Sequence, residues 1–137
     1  MATESKKVEL LGKEYLIPFP SMGQYGLIET LKSTLTDGEY GIMAKNAVGV
    51  TAQERALDQL DAYCTFFVLI PKFFSDNKFS NRSDIDMKSA MLMTKVYMKE
   101  FKPWFDKLMV ELNDIEQDID ALNEIEKDTI DSSEQDN

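Results

Sequence analysis

TAQERALDQLDAYCTFFVLIP, residues 51–71, is the stretch on which the fold turns. Thr51 and Glu54 stand three apart, the spacing of a capping box. Leu57, Leu60, Cys64, Phe67 and Val68 follow at the three- and four-residue steps of one helix face. Pro71 lacks the N–H that would continue the helix and disfavours helical geometry in the residue before it, so an end or kink is expected near Ile70. Just beyond, Phe73, Phe74 and Phe79 join Phe66 and Phe67 to place five of the eight phenylalanines within 14 residues. That density reads as the centre of a core; the competing reading is a partly exposed patch for a partner.

The run 62–71 is the most apolar in the chain and about half the length needed to cross a bilayer. It holds the single cysteine, Cys64, which reads as a core residue because no histidine or other activating base lies near it in sequence. One thiol allows no disulfide within the chain, and residues 1–7 lead into alternating Val-Glu-Leu without the apolar core of a secretory signal. A reducing cytoplasm is the compartment expected.

Working toward the N-terminus, Ser21 and Gln24 form another capping-box pattern, and Tyr25, Ile28, Leu31 and Leu35 follow at helical spacing. A helix over about 22–35 is expected, stopped by Thr36-Asp37-Gly38. Residues 39–50 suggest a turn or two of helix inside a loop. Residues 7–17 alternate as a β-hairpin. Gly12 at the first central position suits a type II′ turn at Gly12-Lys13, which pairs Leu10 with Tyr15 and Val8 with Ile17 and sets all four on one face. Residues 1–6 are expected to be flexible.

Toward the C-terminus, the polar stretch 75–83 breaks the pattern, and Ser83 or Asp84 is positioned to cap a helix over about 85–102. That helix is apolar round most of its circumference, so it is either buried on several sides or binds something. Four of the eight methionines lie in it. Unbranched and polarizable, methionine fills irregular cores and also adapts to varied partner surfaces, which makes Met87, Met91 and Met98 candidate partner-binding residues. Lys88, Lys95, Lys99 and Lys102 fall on the remaining face. Pro103 opens a last helix over about 103–126 whose seam includes Leu108, Leu112, Ile115, Ile119 and Leu122. This seam falls short of the three to four heptads that mark a coiled coil. Leu112, Ile115, Ile119 and Leu122 complete the candidate partner-binding set.

The chain of 137 residues, enough for one domain with an appendage, has 25 acids against 15 bases and a net charge of -10. Residues 111–137 hold 11 acids and one base, whereas residues 1–110 hold 14 of each. An electrically balanced body, 7–110, thus carries an acidic helical extension, 111–127, and an acidic tail, 128–137, too polar to order alone. The acidic half of the last helix is expected to lie against the lysine face in this or a neighbouring copy, or to be left free to recruit a basic partner; the competing reading is a solvated acidic tail that keeps the protein soluble. Net charge argues against direct nucleic acid or membrane binding. The absence of histidine removes His-based triads and His-containing zinc sites. No phosphate loop, EF-hand or cysteine pair is present, so no catalytic, cofactor or metal residue is assigned and an enzyme is not expected.

The expected fold is therefore mainly α: a short N-terminal β-hairpin, a compact bundle of about four helices, and an acidic C-terminal helix and tail. A hairpin holding LLGKEYLI (residues 10–17), a small helical body in which TAQER (51–55) opens an aromatic-rich helix, and an acidic C-terminal region together resemble the tail assembly chaperones of tailed bacteriophages, over about residues 7–125. The likeness is one of layout and size and carries no motif residue across. It implies a non-virion protein of the host cytoplasm that forms homo-oligomers, coats apolar stretches of the tape measure protein and helps recruit tail tube subunits. Two other readings stand beside it. One is a structural component of a virion or other assembly with permanent helix-mediated contacts; the other is an acidic nucleic acid mimic that inhibits a DNA-binding protein.

Overall fold

A computed structural model describes residues 4–114. It begins with an antiparallel hairpin of β1 (Ser5–Leu10) and β2 (Lys13–Pro18), extended by a hydrogen bond from Phe19 N–H to the Glu4 carbonyl. The strand thus starts at Ser5, inside the segment expected to be flexible. Val8 faces Tyr15 and Leu10 faces Lys13, with Leu11 and Gly12 in the turn at φ of 50° and 83°. Positive φ at both central residues makes this a type I′ turn, whose twist matches that of the strands. The expected turn at Gly12-Lys13 is corrected by this register. The pairing moves by two residues, which preserves the pleat, so Val8, Leu10, Tyr15 and Ile17 still share one face and all four are buried.

The described residues beyond the hairpin are mainly helical, in the mainly α arrangement expected. Helix α1 (Met22–Leu35) opens on a complete Ser21–Gln24 capping box and closes at Thr36, where the Gly38 N–H returns to the Ser33 carbonyl at 2.8 Å. Of its expected stripe Ile28 is buried and Leu31 and Leu35 are half-buried, whereas Tyr25 is exposed. A short helix, α2 (Tyr40–Ala47), occupies the loop region.

Helix α3 (Thr51–Leu69) is the centre of the body. Its start differs from expectation: Val50 flanks it, and Glu54 accepts a hydrogen bond from the Gly49 N–H at 2.7 Å instead of closing a box with Thr51. Gly49, in a left-handed turn at φ of 79°, offers a donor that the carboxylate takes first. At its other end the helix breaks at Ile70 as Pro71 requires, and α4 (Pro71–Asp76) restarts with proline in its first turn. Ala62, Cys64 and Phe66 have no exposed surface. Phe66 meets the rings of Tyr97 and Phe101 edge-on, at 5.8 and 6.1 Å, while Phe73 meets Tyr15 at 5.6 Å. The aromatic cluster is therefore core at Phe66, Phe73 and Phe74, half-buried at Phe79 and exposed only at Phe67.

After α4, a 3-10 turn (Arg82–Asp84) precedes α5 (Met87–Val96), which Asp86 caps through the Ser89 N–H at 3.0 Å. The start expected near residue 85 moves to Met87 because Asp84 is used to close the 3-10 turn. Tyr97–Phe101 form a π turn in which the Lys102 N–H reaches the Tyr97 carbonyl. It lies directly before Pro103, whose ring would collide with the Lys99 carbonyl in a regular α-helix, so the backbone widens there. Along 85–102 only Met93, Tyr97 and Phe101 are fully buried.

The chain divides into two units, Met1–Pro103 and Trp104–Asn137. Within the second, residues 104–114 are helical, with Val110 and Leu112 exposed. Ile115, Ile119, Leu122 and the acidic tail lie outside the described residues. Among the described residues no helix is long and apolar enough to cross a membrane.

Candidate functional site

The N-terminal half of α3 lies between α2 on one flank and the start of α5 on the other. Residues 51–56 are exposed, and Leu57 and Leu60 below them are buried. On one flank, α2 is held by the Tyr40 hydroxyl, which donates to Asp61 at 2.6 Å, with the Lys32 ammonium 5.4 Å from the Tyr40 ring centre. Burial, and next the hydrogen bond to Asp61, push the Tyr40 phenol well above its ordinary range. On the other flank, the Gln59 amide contacts the Met87 sulfur at 3.8 Å, bringing the start of α5 alongside.

Two cavities open between these flanks. One, of about 550 Å³, lies toward α2 and includes Met43, Leu57 and Leu60 in its lining. The other, of about 330 Å³, lies toward α5 and includes Tyr63, Ile85, Met87 and Met93. They share Ala56, Leu60 and Arg82, so they form a single groove across α3 with Arg82 at its junction. Thr36, Asp37, Asn46, Gln53 and Gln59 join Arg82 as its polar lining, and its methionines come from both flanks. Such a surface suits an apolar helical segment, whose side chains flexible thioethers accommodate without a fixed mould.

A second groove, of about 510 Å³, runs between the hairpin turn and α5. Leu11, Leu92 and Val96 line it, with Lys95 and Lys99 set against Glu9 and Glu100. Only these two of the four lysines meet there. Lys88 is exposed elsewhere on α5, while Lys102 acts on Asp58 of α3, whose carboxyl is raised by burial and by Asp61 and partly relieved by Lys102.

Of the candidate methionines, Met87 lines the α3 groove, Met91 is exposed outside these cavities and Met98 is half-buried in the π turn. Leu112 is exposed in the second unit, and Ile115, Ile119 and Leu122 fall beyond the described residues. Met43, Ile85 and Arg82 are groove residues that spacing did not single out. Arg82 sits in a polar stretch that reads as a simple break, although Asn81 and Asp84, three apart around it, carry the signature of a capped turn. Burial pushes the Cys64 thiol up to about 11, the ordinary state of an inert core cysteine. Among the described residues no group of three or more acidic or sulfur ligands is placed to hold a metal ion. No family model, curated protein or solved structure matches the chain.

Proposed function

We propose that this chain is a tail assembly chaperone of a tailed bacteriophage. It acts in the host cytoplasm, forms homo-oligomers and binds apolar helical segments of a long partner such as the tape measure protein. The observation that carries this reading is the open, methionine-lined groove across α3, where Met87 keeps 57 % of its surface exposed beside a floor of Leu57, Leu60 and Met93. An apolar surface left open this way serves a transient client better than a fixed neighbour, since methionine trades packing precision for adaptability.

Co-expression with the product of the adjacent gene tests the reading, which expects a long, mainly helical tape measure protein there. The chain is expected to co-purify with that neighbour and keep it in solution. Ala56→Arg, an exposed helix position common to both cavities, should fill the groove and abolish the effect with the fold intact by circular dichroism. Failure of the wild-type chain to hold its neighbour in solution counts against the chaperone.

A permanent structural component of a virion is the second reading. It is favoured by Met22 and Leu27 on α1, Ile42 on α2 and Val48 just after it, each at least 60 % exposed. The chaperone should be absent from finished particles and the structural component present, which mass spectrometry of purified virions decides.

A further inference from the structure

We propose that the α3 groove selects amphipathic helices whose apolar face carries one carboxylate, and that the Arg82 guanidinium is the residue that reads it. The inference rests on the groove being a partner-binding surface, as proposed above, and names the chemistry of the partner. Arg82 lines both cavities where they meet, so any helix laid along the groove passes over it.

The turn that presents Arg82 is fixed from within. Asn81 Oδ1 accepts from the Ser83 N–H at 2.8 Å, and Asp84 Oδ2 accepts from the Ser80 and Asn81 N–H groups at 2.8 and 3.2 Å. The adjacent acid is thereby committed to backbone donors. Among the described residues no ion pair joins Arg82 to a carboxylate, which leaves the guanidinium available to a partner's acid. Its charge reaches the groove floor, where it opposes the upward shift that burial imposes on the Tyr63 phenol. The chain has one other arginine, Arg55, so a guanidinium at this junction is not a consequence of a generally Arg-rich surface.

A guanidinium presents a planar fork that matches a carboxylate in two parallel hydrogen bonds. A docked helix would strip water from Arg82, and one without an acid at that point would leave a desolvated charge with no counter-charge. Selection therefore works by rejecting wholly apolar helices as much as by attracting acidic ones. A densely acidic occupant fits poorly, because Asp37 stands in the α2 half of the same groove. The 11 acids of residues 111–137 make that segment of a second copy a weaker match than a helix with one acid over the junction.

Two synthetic helical peptides, identical except for Glu or Gln at the centre of a leucine stripe, test this against the full-length chain by fluorescence anisotropy. Wild type is expected to bind the Glu peptide about tenfold more tightly than the Gln peptide. Arg82→Gln should bind both at the weaker affinity, while Arg82→Lys keeps a reduced preference because a point charge replaces the fork. Arg82 is exposed, so these variants should retain the wild-type circular dichroism spectrum. Equal binding of the two peptides by wild type, or a preference that survives Arg82→Gln, overturns the role of Arg82 and leaves the groove standing. Binding of neither peptide, or binding indifferent to Ala56→Arg, overturns the groove as well. Tighter binding of a peptide of residues 105–122 than of the Glu peptide would assign the groove to a second copy and overturn the selection proposed.

Discussion

The Tyr15 hydroxyl donates to the Asp76 carboxylate at 2.8 Å, and this bond fastens the hairpin to the end of α4. Lys13 Nζ reaches the same oxygen at 2.8 Å. Asp76 closes the last turn of its helix, where a negative charge opposes the helix dipole, so the two donors offset an arrangement that is otherwise unfavourable. A hairpin alone is marginal in water, and β1–β2 persists because its buried face and this polar clasp both engage the helices.

Acid titration follows from the clasp. Hydrogen bonds from Lys13 and then Tyr15 hold the Asp76 carboxyl below its usual range. A depressed folded value means that its stabilisation is present above the unfolded value of about 3.9 and is lost as pH falls through the folded one. Melting temperatures measured from neutral pH down to about pH 2 should decline more shallowly in Asp76→Asn than in wild type. Parallel curves would show that the carboxylate is not held by these donors.

At the alkaline end the sign reverses. Burial, and then the bond and charge of Asp76, push the Tyr15 phenol up to about 12. A raised folded value gives stabilisation that is complete below the unfolded value of about 10 and is lost as pH climbs toward the folded one. Tyr15→Phe should therefore be less stable than wild type near neutrality, with the difference shrinking between about pH 10 and 12. The residual alkaline decline in the variant belongs to Tyr40, Tyr63 and Cys64, each of which burial also raises. A difference constant with pH would remove Tyr15 as its source.

Leu11 supplies a prediction about strain. It sits at φ of 50°, a conformation that costs a branched apolar residue about 1–2 kcal/mol, whereas Asn adopts it readily and Asn-Gly is a favoured pair for this turn. Leu11 is half-buried beside Leu92 and Val96, so some apolar contact is lost in exchange. Leu11→Asn is expected to raise the unfolding free energy by about 1 kcal/mol in urea titrations. A loss of stability would mean that the leucine side chain, rather than the turn geometry, dominates at this position.

The same turn shows what local sequence conveyed and what it did not. The Ser21–Gln24 box formed as read, with both of its reciprocal hydrogen bonds present. The Thr51–Glu54 box did not, because the Gly49 N–H lies within reach of the same carboxylate. Alternation identified the buried face of the hairpin, yet alternation is blind to a two-residue change in register. The choice between turns at Leu11-Gly12 and Gly12-Lys13 falls to tertiary contacts, including the reach of Lys13 to Asp76. The groove was legible only in part, since Met87 stood out by type, whereas Arg82 and Met43 acquire their meaning from elements distant in sequence.

Cys64 tests the packing of α3 directly. It has no exposed surface, and burial holds its thiol up to about 11, with the charges of Lys32 and Arg82 opposing that shift to a smaller extent. At pH 8 the thiolate fraction should be about a hundredfold below that of a free cysteine, before any effect of access. Iodoacetamide should therefore alkylate native protein at least about a hundredfold more slowly than protein in denaturant. With rising urea the labelling rate should follow global unfolding, because α3 lies at the centre of the core and offers no separate local opening. Rapid stoichiometric labelling in native buffer would contradict that packing. Labelling that rises well before the unfolding transition would instead identify α3 as a locally opening element.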